Sequence, residues 1–376
     1  MSDSIEGKSI RVIMSGGGTG GHIFPAIAIA RSIQRRDPNS DVLFVGALGK
    51  MEMEKVPQAG FNIVGLPIVG IQRRITWRNL LVPFKVLFSL YKARKVIKEF
   101  KPDIAIGVGG YASGPLIQVA ASMGIKCLIQ EQNSYPGITN KLLSKKVDRI
   151  CVAYEGLEKY FPPSKIVFTG NPVRSEVIDI STKRGPAISY FELQPDLKIL
   201  LFVGGSLGAR TINLSLTKCI EELHNLGFQI IWQTGKGYYE TAKNLVESTG
   251  LPHVKVYEFI RDMDLAYAAS DVIVSRAGAM SISELCLVGK PVVLIPSPNV
   301  SEDHQTKNAV ALVNRGAAIL LKDSDAPAQL LSVLKSLLAD EILLNSLSEN
   351  IRKMGKANAD EEIANEVFKL IGQIEK

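Results

Sequence analysis

Ten residues near the amino terminus, GGGTGGHIFP (16–25), hold five glycines, a threonine and a histidine. Glycine lets main chain approach a ligand closely, and a helix starting there offers open N–H groups suited to phosphate. Imidazole, with a pKa near 6.5, suits proton transfer at neutral pH, so His22 is either a helix-start structural residue or a base. Gly16, Gly18 and Gly21 satisfy G-x-G-x-x-G. A dinucleotide site also needs an acid at the end of the second strand, and VGALGK has none until Glu52. A phosphate loop needs Gly-Lys-Ser/Thr, and Gly21 is followed by His22. Two more glycine turns occur, GVGGYASG (107–114) and GGSLGA (204–209), where Ser206 adds a hydroxyl donor. In SRAGAMSISE (275–284), Ser281 and Glu284 have the spacing of a helix capping box. The same carboxylate has acceptor sites for two ligand hydroxyls. Arg174, in GNPVR, is an ordinary surface arginine or a guanidinium for an anionic ligand.

These loops need strands and helices to hold them. IRVIMS (10–15), DVLFVG (41–46), DIAIGVGG (103–110), KCLIQEQ (126–132) and RICVAY (149–154) read as buried strands with helical patterns between several of them. Residues 176–197 lose any clean period, carry Gly185, Pro186 and Pro195, and read as a linker. A second series follows: KILLFVGGS (198–206), FQIIWQTG (228–235), VKVYEFI (254–260), DVIVSRAG (271–278) and PVVLIPSP (291–298). The chain is an α/β protein of two Rossmann-like halves, each opening on strand, glycine loop, helix. The amphipathic tail EEIANEVFKLIGQIEK is a helix placed to return to the first half.

With 376 residues and 46% hydrophobic content, there is chain enough for two cores. A net charge of +7 fits an anionic partner without choosing one. The four cysteines include no C-x-x-C pair, which argues against zinc; so large a core needs no disulfide framework, and a reducing cytosol fits. Windows 12–30 and 104–125 lack charged residues, but their glycines and prolines read as strand, loop, helix rather than membrane spans. The start MSDSIEGKS has no apolar signal core, so export is not indicated. Segment 71–98 mixes Ile75, Trp77, Leu80, Leu81, Phe84, Leu87 and Phe88 with Arg73, Arg74, Arg78, Lys85 and further basic residues, and no acid. It reads as a core helix with a basic face or as a surface resting on anionic lipid. No basic-aromatic pattern for RNA appears, so nucleic acid is not expected.

Four signatures occur in order along the chain: GGGTGGHIFPA; GVGGYASGP; EQNSYPGITNK with GNPVR; and GGSLGARTIN followed by SRAGAMSISE and EDHQTKNA. Together they closely resemble the MurG family of bacterial glycosyltransferases. The resemblance implies a GT-B fold, two Rossmann-like domains facing a central cleft. Residues 1–175 form the acceptor and membrane-associating domain, with a helix from about 355–376 packing back, and 176–354 form the donor domain. It implies transfer of N-acetylglucosamine from UDP-N-acetylglucosamine to the C4 hydroxyl of the muramoyl sugar of lipid I, the undecaprenyl-linked pentapeptide precursor. The products are lipid II and UDP, with inversion, no cofactor and no required metal. The setting is peptidoglycan synthesis, with its bearing on cell shape and division, at the cytoplasmic face of the bacterial plasma membrane.

Residue by residue, the resemblance makes His22 the base, with Glu131 its rival. Thr19, Gly20 and Gly21 hold the substrates together, and Tyr111 lies on the acceptor side. Glu284 takes the ribose hydroxyls, and the helix opening Ala279, Met280, Ser281, Ile282 and Ser283 meets the donor. Arg174 reaches the nucleotide, Ile260 reads the uracil edge through main chain, and Ser206 binds phosphate. Asn133 is a donor-site residue. Gln305 binds sugar hydroxyls; several members have Gln-Gln where this chain has His304–Gln305, and His304 reads as a solvated loop residue. His224 and His253 belong to no motif. A UDP-sugar epimerase and a non-catalytic binding module are the competing readings. Conversion of donor without acceptor marks the first, and nucleotide binding without transfer marks the second.

Overall fold

A computed structural model describes residues 9–68, 82–173, 177 and 179–373. The chain divides into two compact units, Met1–Pro172 with Asn358–Lys376, and Val173–Ala357.

In the first unit, strands and helices alternate: β1 (Arg11–Ser15), α1 (Gly20–Arg36), β2 (Asp41–Ala47), α2 (Glu52–Gln58), β3 (Asn62–Leu66), α3 (Val82–Phe100), β4 (Ile104–Gly107), α4 (Ser113–Ser122), β5 (Lys126–Glu131), α5 (Ile138–Leu143), β6 (Arg149–Val152) and β7 (Ile166–Phe168). The sheet is parallel throughout, in the order β3-β2-β1-β4-β5-β6-β7. Period-two alternation splits β1 between two cores. Val12 and Met14 face one built with Ile23 and Ile29 of α1, and Ile13 faces another built with Leu116 and Ile117 of α4.

The second unit runs α6 (Arg184–Tyr190), β8 (Ile199–Val203), α7 (Arg210–Thr217), α8 (Ile220–Asn225), β9 (Gln229–Gln233), α9 (Tyr239–Thr249), β10 (Val254–Tyr257), α10 (Met263–Ala269), β11 (Val272–Ser275), α11 (Ala279–Val288), β12 (Val292–Leu294), α12 (His304–Val313), β13 (Ile319–Leu320), α13 (Ala326–Leu338) and α14 (Glu341–Lys353). Its parallel sheet has the order β10-β9-β8-β11-β12-β13. Trp232 is fully buried, and its indole N–H donates to Asn213 Oδ1 at 3.0 Å.

The last helix, α15 (Ala359–Leu370), belongs to the first unit. Ile363, Ala364, Val367 and Phe368 enter the core with α1, and Arg35 pairs with Asp360 at 2.6 Å. Burying an Ile, Val or Phe side chain contributes roughly 1.5–3 kcal/mol by removing it from water.

The linker expected at 176–197 is a correction. It contains α6, whose Ala187 is buried, and Phe191 and Leu193 are buried after it. Lys183 and Arg184 pair with Asp264 and Asp271 at 2.9 and 3.0 Å, which fastens the segment beside α10. A helix of 7 residues carrying Gly185 and Pro186 in its first turn is too short to display a period.

All four cysteines are buried and none is in a disulfide. Burial pushes the thiols of Cys127, Cys219 and Cys286 up to about 12.

Candidate active site

In open parallel sheets, ligands bind beyond the carboxyl ends of the strands, where the strand order reverses. That point lies between β1 and β4 in the first unit and between β8 and β11 in the second. The glycine loops sit at these points.

At the first point, Thr19 is the extended N-cap of α1, and His22 is the third residue of the helix. His22 Nδ1 lies 3.1 Å from the Gly17 carbonyl oxygen and 3.2 Å from Thr19 Oγ1. Gly109, in the turn after β4, has φ +98°, and a Cβ there would lie 2.6 Å from His22 Cδ2. A Cβ on Gly110 would overlap the Gly17 carbonyl, and Gly17 N–H donates to Gly109 O at 3.3 Å. Some of the bareness of this loop therefore comes from loop pressing on loop. Gly18 differs: its φ is +85° and nothing lies near where its Cβ would be.

Glu131 ends β5 at 2% exposure. Its Oε1 accepts from Asn133 N and Nδ2 at 3.0 and 3.2 Å, and its Oε2 from Gly137 N and Asn140 Nδ2 at 3.1 and 2.8 Å. Burial pushes this carboxyl above its ordinary value, while the four N–H donors pull the other way. The geometry is that of a brace for the loop 131–140. Asn171 continues the brace by accepting from Gln130 Nε2 at 2.7 Å and donating to Gln132 O at 3.0 Å.

In the second unit, the loop 204–209 repeats the plan. A Cβ on Gly208 (φ +76°) would overlap the Thr234 carbonyl, while Gly205 (φ +79°) faces open space and Ser206 is exposed. Across the switch point, α11 starts after Gly278. Its first i→i−4 bond is from Ile282 N to Gly278 O, so the N–H groups of Ala279, Met280 and Ser281 lack intrahelical acceptors. Glu284 lies one turn further along, mostly buried, and accepts from Tyr267 Oη at 3.1 Å. Gln305, in the first turn of α12, accepts from Ser297 N at 2.8 Å, leaving its amide nitrogen to donate. Among the described residues, no group of three or more His, Cys, Asp or Glu is gathered to hold a metal ion.

Comparison with known proteins places this arrangement. Residues 12–152 match the glycosyltransferase family 28 N-terminal domain, and residues 199–367 match the glycosyltransferase family 28 C-terminal domain. A protein of Cytophaga hutchinsonii named UDP-N-acetylglucosamine--N-acetylmuramyl-(pentapeptide) pyrophosphoryl-undecaprenol N-acetylglucosamine transferase is 55% identical over 97% of this chain and 98% of its own length. A relative of the same name from Bacteroides thetaiotaomicron is also 55% identical, over 96% and 98%. The crystal structure of Acinetobacter baumannii MurG superimposes with a TM-score of 0.80 at 30% identity, covering 96% of this chain and 99% of that one. The chain belongs to the MurG family. The GT-B fold that this family implies matches the two parallel sheets with their helices. A UDP-GlcNAc 2-epimerase from Neisseria meningitidis, 16% identical with a TM-score of 0.66 over 96% and 100% of the two chains, shares the fold alone.

Against the positions carried over from the MurG family, the structure gathers Thr19, Gly20, Gly21 and His22 on one helix start, and sets Glu131 at the end of β5 and Asn133 just past it, two strands along the sheet from β1. Tyr111 is exposed in the turn before α4. Ala279, Met280, Ser281 and Ser283 are part-exposed on α11, whereas the Ile282 side chain is buried. Arg174 lies outside the described residues. Ile260 is buried and its N–H donates to Gln233 Oε1 at 3.1 Å, so a ligand using that N–H must displace the amide.

Two local readings change. Ser281 and Glu284 form no capping box, because Gly278 is the N-cap and Ser281 sits inside the helix. His304 is not a solvated loop residue. It is the first residue of α12, its side chain is 17% exposed, and its Nε2 is 3.7 Å from Glu302 Oε2.

Sequence reasoning missed Glu52 and Gln233, both nearly fully buried. Gln233 Nε2 donates to Gly205 O at 3.0 Å, tying the second glycine loop to the end of the segment bearing Ile260. The signal for Gln233 was a polar residue closing a strand after the apolar run Ile230, Ile231 and Trp232. For Glu52 it was the first acid after β2.

Proposed function

We propose that the chain transfers N-acetylglucosamine from UDP-N-acetylglucosamine to the muramoyl sugar of undecaprenyl-pyrophosphoryl-muramoyl-pentapeptide, giving lipid II and UDP. The observation that carries this is identity of 55% across 97% of the chain with a transferase named for that reaction.

The second unit holds the donor. Glu284 accepts the ribose hydroxyls, and the open N–H groups of α11 and the loop 204–209, with Ser206, balance the charge that grows on UDP as it leaves. Removing a single donor of this kind typically costs roughly 10²–10³ in rate. The first unit holds the acceptor. His22 takes the proton of the C4 hydroxyl as its oxygen attacks the anomeric carbon, and UDP departs from the opposite face. One in-line displacement inverts that carbon. No cation takes part in this scheme.

The test is transfer from labelled UDP-N-acetylglucosamine, with and without a lipid I analogue, in EDTA. Label reaches the lipid only when acceptor is present, with UDP released in step and no loss to chelation. Donor conversion without acceptor would support the epimerase reading. Activity lost in EDTA and regained with magnesium would remove the metal-free scheme.

The acceptor's polyprenyl chain calls for contact with a bilayer. On α3, Phe84, Leu87, Phe88 and Tyr91 form an exposed stripe at helical spacing, opposite the buried Ala93, Val96 and Ile97. Among the described residues, no helix is long and apolar enough to cross a membrane. Together with the basic residues of 71–98, this supports peripheral binding to an anionic membrane, at its cytoplasmic face. Arg73, Arg74 and Arg78 lie outside the described residues. Neutralising them together with Lys85 weakens binding to anionic vesicles by up to about 10³-fold, at roughly 1 kcal/mol per charge. UDP affinity, measured by calorimetry, stays unchanged. Vesicle binding equal to that of the unaltered chain would rule this surface out.

A further inference from the structure

The acid that a dinucleotide site would aim at a ribose is turned inward here. Glu52, the first residue of α2, is 1% exposed. Its Oε2 accepts the Gly18 N–H at 2.8 Å, and its Oε1 accepts the N–H of Ala47, the last residue of β2, at 3.0 Å. Two glycines make the slot it occupies. A Cβ on Gly46 would lie 2.6 Å from Glu52 Cγ, and one on Gly17 would overlap the carboxylate.

Gly17 is also the residue that addresses His22. Its carbonyl lies 3.1 Å from His22 Nδ1. A carbonyl oxygen can only accept, so in neutral His22 this contact puts the hydrogen on Nδ1 and leaves Nε2 as the basic nitrogen. Thr19 Oγ1, at 3.2 Å from the same nitrogen, can accept or donate and so does not decide the tautomer.

We propose that Glu52 is a positioning residue for proton transfer. Its carboxylate ties the Gly17–Gly18 peptide of the first glycine loop to the end of β2, and so holds the Gly17 carbonyl on His22 Nδ1. The proposal rests on reading His22 as the base. It also means that the Gly18 N–H is committed to the protein and is not part of an anion-binding nest.

The test is E52Q, an isostere whose amide turns N–H towards one of the two N–H donors. Turnover falls roughly 10- to 100-fold, as expected for a misplaced base. KM for UDP-N-acetylglucosamine stays within about two-fold, because the donor is held by the other unit. In protein labelled with ¹⁵N-histidine, with the His22 signal assigned by its absence in H22A, the wild-type ring shows the Nδ1–H tautomer and E52Q shows a mixture. Turnover within about two-fold of wild type overturns the proposal, as does a parallel loss of UDP affinity or an unchanged tautomer. Should E52Q fail to fold, E52D, which keeps the charge but shortens the reach, must show the same loss of turnover with UDP binding retained. A wild-type His22 protonated on Nε2 overturns the proposal whatever the variants do. Absence of sugar transfer by the wild type would refute the proposed function, and the ¹⁵N comparison would still test the clamp.

Discussion

Replacing His22 by alanine lowers turnover by about 10²–10⁴, the usual contribution of a positioned base, while UDP binding is retained. The loss falls on the chemical step because His22 lies in the first unit and the residues proposed to hold the donor lie in the second. The side chain is part-exposed and its Nδ1 meets Gly17 O and Thr19 Oγ1, so its removal opens no buried apolar cavity. Thermal stability should therefore change little. Single-turnover measurement with saturating donor and a lipid I analogue checks it. A variant within ten-fold of wild type would move the base elsewhere. Glu131 would not be a ready substitute, since both its oxygens are occupied by N–H donors within 131–140.

The second large effect is on donor affinity. Glu284→Ala weakens UDP binding by roughly 10²-fold, since each hydroxyl bonded to a carboxylate contributes about 1.5–3 kcal/mol and part is returned by solvent. Calorimetry with UDP and 2′-deoxy-UDP separates the hydroxyls. Wild type distinguishes the two ligands and Glu284→Ala does not. Tyr267→Phe, which removes the hydroxyl donating to Glu284 Oε2, has a smaller effect because the carboxylate remains. Equal discrimination by wild type and Glu284→Ala would take the ribose away from this residue.

The strands flanking each switch point were legible because β1, β4, β8 and β11 are short apolar runs ending at glycine or serine turns. The edge strands β3, β7 and β13 were not. They have 5, 3 and 2 residues and are only partly buried, too short to show a strand's alternation. The helix α6 went unseen for a related reason, being held by ion pairs with Asp264 and Asp271 that lie far along the chain. Site positions were legible as motifs, but their internal support was not. GGGTGGH looks the same whether its glycines make room for a ligand or for protein. Only the fold separates Gly18 and Gly205, which face open space, from Gly17, Gly110 and Gly208, which other groups crowd. The bond from Glu52 to Gly18 spans 34 positions, and no local pattern announces it.

The crowding of loop on loop bears on how an inhibitor could be evaded. At Gly110, Gly208 and Gly235 any other amino acid would drive a carbon into neighbouring main chain. A compound gripping the adjacent peptide groups would thus address atoms that no single codon change can delete or reshape without wrecking the turn. Resistance would have to arise through flanking side chains such as Leu207, which projects into solvent.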